Sequence, residues 1–343
     1  MALKVAVLGA TTMVGKEILS VLAERGFPAD EVIALSSRKA MGAEVSFGEK
    51  TLKTRDVDEF DFSTIQLCIM ATGDQPARKY GAKISASCVV IDTSRAFRND
   101  PQVPLIVSGV NAGAIEGYSK RNIISVPDGV VSQLVTVLKP LHDAAGVTRA
   151  VVSTYQSVGG EGQRAIDELW VQTKGLYVNQ APDPKEFPRQ IAFNVIPQID
   201  DVMDDGFTEE EWRVSHEVRK IVDNDIQVVA SCVRVPTFVG VGQMVHLELA
   251  EPLPANEARK ILREAPGIML IERKGEEGAY VTPIEAVGEW ATFVSRVRDD
   301  LTVENGLAMW IVSDDLRNGG SLLSVQAAEL LLNRGALSAA VKA

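Results

Sequence analysis

The apolar residues of the first 125 positions come in short continuous runs, and this constrains the fold more than any other feature. "KVAVLG", "EVIAL", "IQLCIMATG", "CVVIDTS" and "NIIS" do not alternate apolar with polar residues. A strand with one wet face alternates. An unalternating strand is covered on both faces, as in a parallel sheet flanked by helices. The stretches between the runs, such as Val14 to Leu22, have helical spacing and supply the crossovers that parallel strands need.

From about Val151 the pattern changes. Long strands, "AVVSTYQSV", "IQVVASCVRVPTFV" and "QMVHLELA", are interspersed with helices such as "AIDELWVQTK" and "TEEEWRVSHEVRKIV". A second, α+β domain on a mostly antiparallel or mixed sheet is expected. Residues 175–188, "GLYVNQAPDPKEFP", read as a Pro-rich loop inside it. "LLSVQAAELLLNRG" reads as an apolar helix that packs back on the first domain.

At 343 residues, 46% hydrophobic and 24% charged, the chain is of ordinary globular composition and long enough for two cores. A net charge of -11 argues against nucleic acid and anionic membranes as partners. No apolar stretch approaches the roughly 18 residues of a membrane helix, and "VAVL" after Lys4 is too short for a secretory signal. Cys68, Cys88 and Cys232 are widely spaced, without a CxxC pair. That pattern excludes a disulfide framework or zinc knuckle and fits a reducing, cytoplasmic setting. His142, His216 and His246 are scattered, and no metal site is expected.

Strand "KVAVL" runs into "GATTMVG" and then a helix. Gly9 and Gly15 bracket the turn, with Thr11, Thr12, Met13 and Val14 between them, so helix N–H groups can meet a pyrophosphate. Thr12 stands where the middle glycine of the usual three would be, and such turns also occur for structural reasons alone. After the second strand come Ser36, Ser37, Arg38 and Lys39 rather than the acidic residue of an NAD site. Hydroxyls with Arg and Lys suit a 2′-phosphate and favour NADP, although a solvated basic turn has the same composition.

A set of longer blocks then identifies a family. "IDTSRAFRNDPQVPL", "LKPLHDAAG", "VVSTYQSV", "IAFNVIPQID", "MDDGFTEEEWRVSHEVRKI", "CVRVPTFVG" and "VENGLAMWIVSDDLRNGG" occur in order. Together they closely resemble aspartate-β-semialdehyde dehydrogenase over almost the whole chain. The resemblance implies a Rossmann-type NADP-binding domain, residues 1–128 plus 313–343, with Gly73 and Asp315 also at the cofactor. It implies a catalytic and dimerisation domain over 129–312. The implied partner is a second copy, as a homodimer or tetramer, or a related dehydrogenase subunit.

The family reduces aspartyl phosphate to aspartate semialdehyde with NADPH, on the route to lysine, threonine and methionine. A cysteine thiolate displaces phosphate to give a thioester that accepts hydride, and a histidine serves as acid and base. The family's cysteine lies in a stretch resembling "ANPNCSTIQ". Here the stretch reads "SVPDGVVSQ", and the nucleophile position is Gly129, preceded by Asp128. The family's histidine follows "RVPxFVG", and that position is Val241. Neither glycine nor valine can attack a carbonyl or move a proton.

Further departures cluster nearby. Val126, Thr93, Asp315 and Ser324 stand for asparagines, and Gly109 stands for a glutamate. Gln156, Arg98, Glu210 and Arg234 match the family's catalytic-site and anion- or substrate-contacting positions, while Arg213 replaces a lysine. Other readings remain for these charges. Glu210 and Arg213 could form an exposed pair three apart on a helix, and Arg98 could cap a turn. Arg234, inside an apolar strand, is the strongest candidate for a carboxylate, because a buried unpaired guanidinium is costly.

No other side chain offers itself as a replacement. Cys68 and Cys88 lie in continuous apolar strands, and Cys232 reads as a buried strand cysteine. The expectation is a diverged family member, deficient in the family reaction, that binds NADP or a small dicarboxylate or phosphate. An active NADP-dependent oxidoreductase without a thioester, and a non-catalytic partner of a true dehydrogenase subunit, are the alternatives.

Overall fold

The computed structural model describes residues 2–180, 182–272 and 278–339. The chain divides into two compact units, residues 1–128 with 319–343, and residues 129–318.

In the first unit, β1 (Lys4–Leu8), β2 (Glu31–Ser36), β5 (Arg55–Asp56), β6 (Leu67–Met70), β7 (Val89–Asp92) and β8 (Ile123–Ser125) form one sheet. Its order is β5-β2-β1-β6-β7-β8, and every pairing is parallel. The unalternating runs predict this. β6, β7 and β8 are buried at every position. A side hairpin, β3 (Glu44–Phe47) with β4 (Lys50–Lys53), stands apart as its own small sheet. Helices α1 (Met13–Glu24), α2 (Asp74–Ser85) and the single turn α3 (Ser108–Asn111) connect the strands.

The chain re-enters this unit with helix α8 (Leu322–Asn333), which packs on α1, α3 and β7. Re-entry falls at Gly319 rather than at 313. The last strand of the second unit runs to Ser313, and the Asn318 N–H still bonds the Asp314 carbonyl.

The second unit is built on a six-stranded mixed sheet. Its strands are β9 (Val147–Gln156), β10 (Gln227–Arg234), β11 (Val241–Leu249), β12 (Ile268–Leu270), β13 (Thr292–Asp300) and β14 (Gly306–Ser313). The order is β10-β9-β11-β14-β13-β12, with β9–β10 and β12–β13 parallel and the rest antiparallel. Helices α4 (Gly129–Ala145), α6 (Glu209–Ile221) and α7 (Ala255–Glu264) pack against the sheet and α4 against its neighbours. Thr208 caps α6 in a reciprocal capping box with Glu211. Helix α5 (Gln163–Tyr177) overlaps the start of the loop expected at 175–188. The reason is packing, since Leu176 rests on the cluster of Leu169, Phe187 and Ile191. Within that loop, Ala181 lies outside the described residues.

Among the described residues no helix is long and apolar enough to cross a membrane. No group of three or more His, Cys, Asp or Glu among them is placed to hold a metal ion.

Candidate active site

The first unit presents a strand–turn–helix at the carboxyl end of β1. Gly9 adopts φ +84°, and a Cβ there would collide with the Ala71 carbonyl oxygen. A Cβ on Gly15 would collide with the carbonyl oxygen of Gly9, so the helix can approach the turn this closely only with glycine there. Thr12 occupies the N-cap of α1, where its Oγ1 accepts from the Gly15 N–H at 3.0 Å and donates to the Gly9 carbonyl at 2.9 Å. The threonine thus replaces a backbone contact with a side-chain cap. Thr11, Met13 and Val14 are half-buried along the same turn, and the first turn of α1 carries no acidic residue to repel a phosphate.

Ser36 ends β2 as a buried residue, while Ser37, Arg38 and Lys39 are exposed on the short helical turn that follows. Gly73 is the N-cap of α2 and faces open space, so no close packing demands glycine there. This arrangement of turn, capped helix and exposed cations is able to hold a dinucleotide with a 2′-phosphate.

Arg98 also belongs to the first unit, and it is buried. Its Nε donates to the Ser94 carbonyl at 3.0 Å, its Nη2 to the Thr93 carbonyl at 2.8 Å, and its Nη1 pairs with Asp128 at 3.2 Å. Arg98 therefore caps the turn after β7 and meets a carboxylate as well. Asp92 lies beneath it at the end of β7, where burial pushes its carboxyl up to about 6, against the hydroxyl of Ser94.

The second unit gathers most of the remaining candidates at one end of the strands of its sheet. Strand register sets Arg234 beside Gln156, Gln156 beside Val241, and Val241 beside Ser313. Directly opposed residues point to one face, so these four form a row. From α6, Glu210 accepts from the Gln156 Nε2 at 2.9 Å and pairs with Arg213. Arg213 also faces Glu217 at 3.7 Å. The Glu210–Arg213 pair is thus present but buried, not exposed. Burial raises the cost of removing either partner, because the charge left behind cannot return to water.

Gly129 opens α4. A Cβ built on it would lie 2.5 Å from the Asp315 Cα, 2.8 Å from its Cβ and 2.8 Å from its carbonyl oxygen. The backbone of Asp315 fills the volume where a reactive side chain would begin. Asp315, expected at the cofactor, is placed in this unit, with Oδ1 accepting the Gly240 N–H at 2.9 Å. Burial, with Asp314 adding to it, pushes its carboxyl up to about 6, while Gly240 and Arg234 pull the other way. Arg234 is buried, donates through Nη1 to the Ser157 carbonyl at 2.7 Å and pairs through Nη2 with Glu161. Sequence reasoning missed Glu161. Its only signal was a charged residue in the otherwise small "GGEG" turn.

Val241 is fully buried. Its carbonyl accepts from the Gln133 Nε2 at 3.4 Å, and its opposite neighbour Ser313 keeps a buried Oγ with no partner among the described residues. The cysteines and histidines are each held in other surroundings. Burial pushes the Cys88 thiol up to about 12 and the Cys68 thiol upward, and Cys232 is buried in β10. His142 accepts from the Val147 N–H, His246 pairs with Asp300, and His216 stacks on Trp212.

Residues 4–118 match the semialdehyde dehydrogenase NAD binding domain, and residues 138–318 match the semialdehyde dehydrogenase dimerisation domain. The aspartate-semialdehyde dehydrogenase of Rickettsia conorii is 44% identical over 330 residues, covering 96% of this chain and 97% of the relative. That of Legionella pneumophila is 41% identical over 332 residues, covering 96% and 95%. The crystal structure of aspartate semialdehyde dehydrogenase II from Vibrio cholerae, complexed with ASA, superposes with a TM-score of 0.93 at 39% identity, covering 97% of this chain and 99% of that one. With both domains matched and the likeness running end to end, the chain belongs to the aspartate-semialdehyde dehydrogenase family.

Proposed function

We propose that this protein is a family member that binds NADP(H) yet does not perform the family's thioester chemistry. The observation that carries the reading is Gly129. The helix start that would present a nucleophile carries no side chain, and the Asp315 backbone occupies the space beside it. Val241 adds to this, since a buried valine sits in the row with Gln156 and Arg234 where an acid–base group would act. The three cysteines are buried, so none is placed to attack a substrate.

Cofactor binding is a separate part of the reading. NADP(H), when bound, supplies or accepts hydride. Thr12 holds the first turn of α1 in place, and Ser37, Arg38 and Lys39 lie exposed where a 2′-phosphate would meet them. Arg98 and Arg234 are the candidate anion-binding residues, one in each unit, and each is already paired with a carboxylate of the chain itself. Self-association suits the match to a dimerisation domain and the half-open sheet face that carries Tyr155, Met244 and Trp310.

The test is phosphate-dependent reduction of NADP by aspartate semialdehyde, run beside the Legionella pneumophila relative. Turnover is expected to be lower by on the order of 10⁴-fold or more, as when a covalent nucleophile is removed. Turnover within about tenfold of the relative overturns the reading. In parallel, fluorescence titration should show tighter binding of NADPH than NADH, with Arg38→Ala/Lys39→Ala weakening NADPH about tenfold. A preference for NADH overturns the 2′-phosphate assignment and leaves the rest standing.

A further inference from the structure

We propose that the carboxylate subsite at Arg234 is filled from within: Glu161 and Asp315 take the place of a bound carboxylate and exclude small carboxylate ligands. The proposal rests on the reading of Arg234 as the residue placed to hold a carboxylate.

Arg234 ends β10 and is 4% exposed. A guanidinium offers five donors in a fixed fork, which matches a carboxylate well. Here the fork is already engaged, Nη1 by the Ser157 carbonyl and Nη2 by the Glu161 carboxylate. Asp315 reaches the same place from the segment after β14. Its Oδ2 and the Arg234 Nη1 both stand within 4 Å of the point where a Cβ on Gly160 would lie. Glu161 is thus paired with the guanidinium, and Asp315 adds a second negative charge nearby, against a glycine that leaves room for both.

The charged groups that act on Asp315 are Asp314 and Arg234. Asp314 is turned away, bonded to the N–H groups of Gly288, Leu316 and Arg317. The two internal anions differ in freedom. The Glu161 side chain is 40% exposed and can swing into solvent. Asp315 is tied to the Gly240 N–H, and its backbone is wedged against Gly129. A tethered carboxylate competes at an effective concentration of millimolar or above, so a free ligand at lower concentration does not displace it. A carboxyl raised to about 6 is still ionised at pH 7.5, where the competition is full.

The experiment is calorimetric titration of the full chain with succinate at pH 7.5 and low salt. Wild type is compared with Asp315→Asn, Glu161→Ala and the double variant. The double variant is expected to bind succinate at least about tenfold tighter than wild type, with Asp315→Asn giving the larger share. Adding Arg234→Ala to the double variant should abolish the gain. If that protein does not fold by circular dichroism, Arg234→Lys replaces it and should lose most of the gain, because the fork is gone.

Equal succinate binding by wild type and double variant overturns the proposal, as does a gain that survives loss of Arg234. Failure here is distinct from failure of the functional reading. Semialdehyde turnover by wild type sinks that reading whatever succinate does, and unchanged succinate binding sinks only the internal occupancy.

Discussion

The two glycine-bearing helix starts of this molecule, at α1 and at α4, have the same local design and opposite surroundings. At α1 the glycines are demanded by geometry. Gly9 is in the left-handed region, and Gly15 abuts the Gly9 carbonyl. Arg38 and Lys39 lie exposed on the turn that follows β2. At α4 the glycine is in an ordinary helical conformation, and the Asp315 backbone has closed over it. The cations near α4 in the second unit are engaged, Arg213 by Glu210 and Glu217, Arg234 by Glu161. A binding turn keeps its shape when the ligand is held by backbone. At α4 a neighbouring backbone stands at the first residue, so a side chain there has no room unless Asp315 moves.

The largest expected effect comes from breaking the first of these starts. Gly15→Ala should cost about 3 kcal/mol, the upper end for overpacking against backbone, and should weaken NADPH binding about a hundredfold. Chemical denaturation and fluorescence titration read the two. Wild-type-like NADPH affinity would mean that the close approach of α1 to the turn is not what holds the cofactor.

A smaller effect is expected from filling the second. Gly129→Cys should destabilise the protein by about 2 kcal/mol, because backbone atoms of Asp315 must move. Turnover should not return, even when Val241→His is added, since the new thiol would displace Asp315 rather than enter an open pocket. Denaturation curves and the semialdehyde assay check this. A stable and active double variant would show that the helix start is empty after all.

The smallest effect concerns pH. The folded-state carboxyl of Asp315 is raised to about 6 from a usual 3.8. Between those values the folded protein holds a proton that the unfolded chain has released. Stability therefore falls as pH rises through that window and stays lower above it. Asn keeps the acceptor for the Gly240 N–H, so Asp315→Asn should remove this part of the decline and gain about 1–2 kcal/mol at pH 7.5 relative to pH 4. Asp92 in the first unit, also raised to about 6, contributes a similar slope to both proteins. Unfolding midpoints at the two pH values measure the difference, and parallel profiles for the two proteins would refute it.

Much of this was legible before any coordinates. Continuous apolar runs predict the all-parallel sheet, because burial on both faces is a local demand on each strand. The identities at 129 and 241 are read directly, and the reading of them as departures from the family pattern needs no fold. The glycines at 9 and 15 bracket the turn within a few residues of chain, so their pattern is visible in a short window.

What only the tertiary structure decided are the contacts between distant segments. Glu161 and Arg234 are 73 residues apart, and Gly240 and Asp315 are 75 apart. No spacing rule joins them, and no composition foretells that Asp315 fills the room beside Gly129. The Glu210–Arg213 pair has helical spacing in the sequence, yet whether it was solvated or buried depended on the sheet beneath α6. The strands β12 and β13 lack a distinctive run; β13 pairs on the edge of β14, and β12 in turn on β13. Local periodicity is dictated by each segment's own burial, whereas the meaning of a charge is set by what the rest of the chain brings against it.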